Sequence, residues 1–308
     1  MLSLPIRHAG SLATFLVAAM MLSCGSRKQA TTTPTPTPGP SPSAAPTFAH
    51  VLLLLEENHS YSDVIGNSAM PYLNGLAQQY GLAAQYYANA HPSLPNYFML
   101  TVGVTETNSD SFSGVVSDDN VVRELVKAGK SWKCYAEALP SPGYLGGDAG
   151  SYLRHHNPFT YFSDVQNDPT QAANIVPFSQ FATDLANNAL PQYSFIVPDM
   201  MDDAHTGTLA QADSWLQENI APLISNANFQ SSGLLIIVFD ESETTDTAYG
   251  GGHIPAVIVS SQAKKGYVSQ TLFQHQSTLR LTLAASGVNS FPGAAVSAPS
   301  MAEFFTGQ

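Results

Sequence analysis

Two short runs built almost wholly of Leu, Ile and Val, Val51 to Leu55 and Leu234 to Phe239, constrain this chain more than any other feature. An apolar run of that length without alternation reads as a strand buried on both faces, as in a mostly parallel sheet covered on each side. Further strand-like runs are Leu82 to Tyr87, Ser131 to Ala136, Gln192 to Val197 and Ala256 to Ser260. Between them lie segments with apolar residues at three and four residue spacing: Pro71 to Tyr80, Asn120 to Ala128, Phe178 to Ala189, Thr208 to Ile224 and Phe273 to Ser286. Alternation of this kind means βαβ units, and one sheet with helices on both faces is the economical architecture. Pro140 to Pro177, rich in Gly, Pro, Asn and aromatics, reads as a long excursion over one end of the sheet.

Acids follow both apolar runs at once, as Glu56-Glu57-Asn58 and as Asp240-Glu241. In open parallel sheets the ligand crevice lies beyond the carboxyl ends of the strands, so the two clusters are placed to face each other. Crowded carboxylates repel and take up protons, whereas one divalent cation is ligated by all of them. Taken alone, each cluster reads equally well as a helix cap or a surface acid. Pro198 to His205 follows the strand Gln192 to Val197 in the same way, with Asp203 two residues before His205.

The chain has 308 residues, of which the first 47 do not read as globular. Residues 1–23 place Arg7 ahead of an apolar stretch from Leu12 to Leu22, too short to span a bilayer comfortably, which predicts an export signal. Met21-Leu22-Ser23-Cys24 resembles the lipobox of bacterial lipoproteins, with Met21 where Leu is usual and Leu22 where a small residue is preferred. That resemblance implies lipidation at Cys24 and an envelope location, in the periplasm or at the surface. Residues 24–47, dominated by Thr, Pro and Ser, read as a tether, and residues 48–308 as one folded domain. The folded part keeps only Cys134, so it offers no intrachain disulfide. A formal charge of −12 argues against nucleic acid as a partner and requires that any bound phosphate meet locally supplied positive charge.

Between the second strand and a helix lies His91-Pro92-Ser93-Leu94-Pro95-Asn96-Tyr97. Pro95 suits a first helical turn, which sets Ser93 at or just before the helix N-terminus. There backbone N–H groups favour an alkoxide and a phosphoryl oxygen. A Ser at such a position is more often a plain cap.

Glu57-Asn58-His59-Ser60-Tyr61, HPSLPNY, Asp240-Glu241 and Gly251-Gly252-His253-Ile254-Pro255, in that order, resemble the acid phosphatase and phospholipase C phosphoesterase family of the alkaline-phosphatase-like superfamily. The resemblance runs from about Val51 to the C-terminus. It implies a three-layer α/β/α sandwich with a mostly parallel central sheet and Ser93 as nucleophile. It implies a cation among Glu57, Asn58, Ser93, Asp240 and Glu241. Across the phosphate it places Asp203, His205 and His253, either around a second cation or as groups that hold phosphate and protonate the leaving group. His156 of His155-His156-Asn157-Pro158 matches a family position near the substrate. Asn96 falls within the matching segment as a substrate contact, and His91 either orients the Ser93 loop or contacts phosphate. His275 resembles a recurrent family His. Glu56 falls outside the set, as a solvated neighbour or a group behind the ligands. His59 reads as an exposed loop residue, and Glu243 and Asp246 as a solvated face.

These features predict a metal-dependent phosphoric ester hydrolase with one or two divalent ions, acting on a small phosphate ester or a phospholipid. The chain ends soon after the last helical segment, which favours a monoester over the diester of a phospholipase C. A surface-tethered protein that keeps the cation and has lost catalysis is the competing reading, and it requires no hydroxyl poised at the carboxylates. No Gly-x-Ser-x-Gly elbow, His-Glu-x-x-His or paired Cys-x-x-Cys is present.

Overall fold

The computed structural model of the protein describes residues 45–306. Nine strands, β1 (His50–Glu56), β2 (Gly81–Tyr87), β3 (Trp132–Ala136), β4 (Ile175–Pro177), β5 (Tyr193–Val197), β6 (Gly233–Phe239), β7 (His253–Val259), β8 (Tyr267–Ser269) and β9 (Phe273–Gln274), join in one sheet. Their order is β4-β3-β5-β1-β6-β7-β2-β8, with β9 beside β2. β1 runs parallel to β5 on one side and to β6 on the other. Val51 to Glu56 and the whole of β6 are buried. Side chains alternate between faces along a strand, so burial of every position means that helices cover both.

β7 is antiparallel to both its neighbours, β6 and β2. Its start therefore shares a rim with the carboxyl ends of β1 and β6, which brings the Gly251 to His253 segment to the acidic edge from the opposite chain direction. β7 also begins three residues earlier than the apolar pattern predicts. Pro255, which has no N–H to donate, sits where the β2–β7 register shifts, and the strand continues past it to pair Tyr87 with His253.

The helices fall near their expected places. Asp213, on the helix Leu209–Ser225, accepts N–H groups of Tyr72 and Leu73 at 2.9 and 2.8 Å. It thereby serves the start of the helix Pro71–Gln79, whose own capping residue Met70 offers no side-chain bond. The helix Ser93–Thr101 is buried at every position and packs against the helix His275–Ala285. The excursion Pro140 to Pro177 holds short helical turns, among them Arg154–His156, and ends in β4 at the sheet edge. Cys134 is buried in β3 and unpaired among the described residues. Among the described residues no helix is long and apolar enough to cross a membrane. The export signal, Cys24 and the tether up to residue 44 lie outside the described residues.

Candidate active site

Ser93 is the first residue of its helix. Its Oγ lies 3.2 Å from Glu57 Oε2 and 3.0 Å from Glu241 Oε1, the side chains that follow β1 and β6. Asp240 closes this side, its Oδ1 accepting the backbone N–H of Asn58 at 3.1 Å. Asn58 turns the chain there with a φ of 58°, in the left-handed region that Asn tolerates better than most residues. Among the described residues no hydrogen bond engages its side-chain amide, which stays available to a ligand. The structure thus gathers Glu57, Asn58, Ser93, Asp240 and Glu241 at one end of the sheet.

A second group adjoins the first through Glu57. His156 Nε2 lies 3.3 Å from Glu57 Oε1, and its Nδ1 lies 3.3 Å from Asp203 Oδ2. Glu57, His156 and Asp203 are all buried and close enough to share an ion. Ala204, at φ 72°, turns the chain so that the His205 N–H returns to Asp203 Oδ1 at 2.8 Å. The exposed His205 ring then stands 5.4 Å from that of His156. Sequence reasoning placed His156 against the substrate, and the structure adds it to the possible ligands.

Other predicted residues serve the frame. Asn96 spends its Oδ1 on the N–H groups of Asn89 and Ala90 and donates its Nδ2 to the carbonyls of Ala90 and Pro92, which pins the loop ahead of Ser93. His91 faces Glu241 Oε2 through Nδ1 and donates Nε2–H to the Asp246 carbonyl at 2.9 Å, so its ring orients a carboxylate of the cluster. His253 sits between the rings of Tyr61 and Tyr87, at 4.5 and 4.8 Å, with Nε2 bonded to the Ala84 carbonyl. Among the described residues no hydrogen bond or ion pair joins its side chain to Ser93 or the carboxylates. His275 Nε2 donates to the Asp240 carbonyl at 2.6 Å and steadies the end of β6.

Three expectations need correction. Glu56 is not solvated: β1 continues through it, it is fully buried, and among the described residues neither carboxylate oxygen has a hydrogen-bond partner. Asp246 is no solvated acid either, since its carboxylate accepts the N–H groups of Ala248 and His253 and so shapes the loop beneath His91. His59 is half-buried and converges with Asp63 and the exposed Glu243. Tyr97 and Asp110 went unrecognised. The Tyr97 hydroxyl donates to Glu57 Oε1, and Asp110 Oδ1 accepts the Leu94 N–H at 2.9 Å. Spacing offered a sign of Tyr97, which lies four residues after Ser93 and so on the same helical face. Nothing local marks Asp110.

Burial dominates the electrostatics. It pushes Asp240 up to about 6, Asp203 up to about 8 and Glu241 up to about 9, the last helped by the Asp240 charge. Glu57 is driven well above the carboxylate range by burial and then by Asp240. Burial, reinforced by the His205 charge, lowers His156 to about 3 and keeps it neutral, as a metal ligand must be. Asp240 Oδ2, Asp203 Oδ2 and His156 Nε2 are buried without hydrogen-bond partners among the described residues. These orphaned atoms and the oxygen-rich donor set fit a hard divalent cation, and His156 admits a softer one.

A serine at a helix start thus faces carboxylates beyond the ends of central strands, and the fold that holds them is that of alkaline phosphatase superfamily proteins. The chain is similar to a solved alkaline phosphatase superfamily protein from Vibrio parahaemolyticus, with a TM-score of 0.59 and 13% identity over 83% of this chain and 71% of that one. The protein belongs to the Phosphoesterase family, which it matches over residues 66–288. It is similar to a phosphatidylinositol-3-phosphatase of Mycobacterium tuberculosis, at 36% identity over 233 residues, 74% of each chain. An acid phosphatase of Aspergillus fumigatus is 32% identical over 249 residues, 76% of this chain and 54% of its own. The chain therefore spans about half the length of that fungal relative. It is a phosphoric ester hydrolase.

Proposed function

We propose that the protein is a metal-dependent phosphomonoesterase acting through a phosphoserine. The observation that carries this reading is the position of Ser93 Oγ, at a helix N-terminus and within 3.2 Å of two buried carboxylates. A binding-only protein has no use for a hydroxyl held there. Glu57, Asn58, Ser93, Asp240 and Glu241 would hold one cation, and Asp203 with His156 would complete a second position that shares Glu57. A bound cation lowers the serine hydroxyl pKa and offsets charge that develops on phosphoryl oxygens, an effect of several kcal/mol.

The residues divide the remaining work. Ser93 Oγ attacks phosphorus in line, its proton lost to solvent, and the bond from phosphorus to the alcohol oxygen breaks. His205, exposed at the mouth, gives the departing alkoxide a proton, and water then hydrolyses the phosphoserine. His91 reaches the reaction through Glu241. The role of His253 rests on the family resemblance alone.

Purified Ser93→Ala protein is expected to lose turnover of a chromogenic phosphate monoester while keeping the unfolding midpoint of the parent. Retention of the parental rate would remove Ser93 from the mechanism. A faster rate on the matching diester would replace the monoesterase reading with a phosphodiesterase of the phospholipase C type. The mycobacterial relative's name supports both the monoester and a lipid alcohol. We also propose export and anchoring at Cys24. Fatty-acid labelling of cells should mark the parent and spare Cys24→Ser, and equal labelling of both would refute the anchor.

A further inference from the structure

Tyr97 is fully buried and touches both halves of the site. Its hydroxyl donates to Glu57 Oε1, and its ring lies parallel to that of His156, with centroids 5.4 Å apart and planes within 6°. Ser93 and Tyr97 stand one helical turn apart, and the two hydroxyls take different oxygens of the same carboxylate: Ser93 meets Oε2, Tyr97 meets Oε1. One oxygen of Glu57 is therefore spoken for by a neutral donor that cannot leave without breaking a buried hydrogen bond. The other faces Ser93 Oγ.

We infer that Tyr97 is a positioning residue that fixes the orientation of the Glu57 carboxylate between the two halves of the site and holds the His156 ring in register with it. The inference rests on the metal reading given above and adds what orients its shared carboxylate. Its chemistry is that of outer hydrogen bonds to metal ligands, which set the orientation and basicity of the ligating group and whose loss weakens metal affinity by about 10- to 100-fold. Phenylalanine at this position keeps the ring beneath His156 and removes only the hydroxyl, which frees Oε1 and lets the carboxylate rotate. Leucine removes the ring as well.

The test is calorimetric titration of chelated full-length protein with Mn2+, Mg2+ or Zn2+ alone, comparing the parent with Tyr97→Phe and Tyr97→Leu and reading each unfolding midpoint without ion. Tyr97→Phe should weaken the tightest-bound ion about 10- to 100-fold, and raising that ion should restore turnover. Tyr97→Leu should weaken it further and leave a deficit in kcat that added ion does not restore. Parental affinity in Tyr97→Phe overturns the positioning role, even if its unfolding midpoint falls. Equal affinity and rescue in the two variants overturns the claim on His156. A parent that binds none of the three ions overturns the metal reading itself, and the Tyr97 inference with it.

Discussion

Asp110 shows how a residue outside any recognisable motif reaches the candidate site. Leu94 follows Ser93, and its N–H is among the free donors at the start of the helix. Asp110 Oδ1 takes that donor at 2.9 Å. The contact ties the first turn, and hence Ser93, to the loop beyond the helix. Asp110→Ala should cost about 1 kcal/mol of stability, as for a lost helix cap, and lower kcat about 10- to 100-fold through misplacement of Ser93. Asp110→Asn keeps an acceptor oxygen and should recover most of the rate. Steady-state kinetics on one monoester decides it: equal losses in both variants would mean that the negative charge, not the hydrogen bond, is what matters. Glu56 is the opposite case, a conspicuous acid whose carboxylate has no hydrogen-bond partner among the described residues, driven well above the carboxylate range by burial and then by Asp203.

At the scale of elements, the central strands could be read from composition because nothing but a doubly covered strand explains Val51 to Leu55 and Leu234 to Phe239. The edge strands β4, β8 and β9 are two or three residues long and carry no pattern, so pairing alone reveals them. The reversed direction of β7 was equally hidden, since a buried strand has the same composition in either direction. The acids at the ends of β1 and β6 were legible because register places Glu56 beside Phe239, so Glu57 and Asp240 leave the sheet together. What no period encodes is the return of the excursion. The turn Arg154–His156 packs against the Ser93 helix and delivers His156 between Glu57 and Asp203. Its neighbouring sequence gave only a motif for it.

For the whole molecule, the buried acids link ion, proton and stability. Asp240, Asp203 and Glu241 have folded-state pKa values raised to about 6, 8 and 9. Such groups bind protons more tightly in the folded chain than in the unfolded one. Their contribution is therefore fully present below the ordinary carboxylate range and is lost as pH rises toward 9. Chelated protein should unfold at progressively lower denaturant concentration from pH 5 to pH 8. Saturating ion should flatten or reverse that slope, because it binds the charged form of the folded state alone. A chelated protein equally stable at pH 5 and pH 8 would show that these carboxylates are not held as described. The same burial makes the cluster a reservoir of acid: a cation entering it would expel hydrogen ions into solution. In a weak buffer, metal uptake would then be visible on a glass electrode before any ester is hydrolysed.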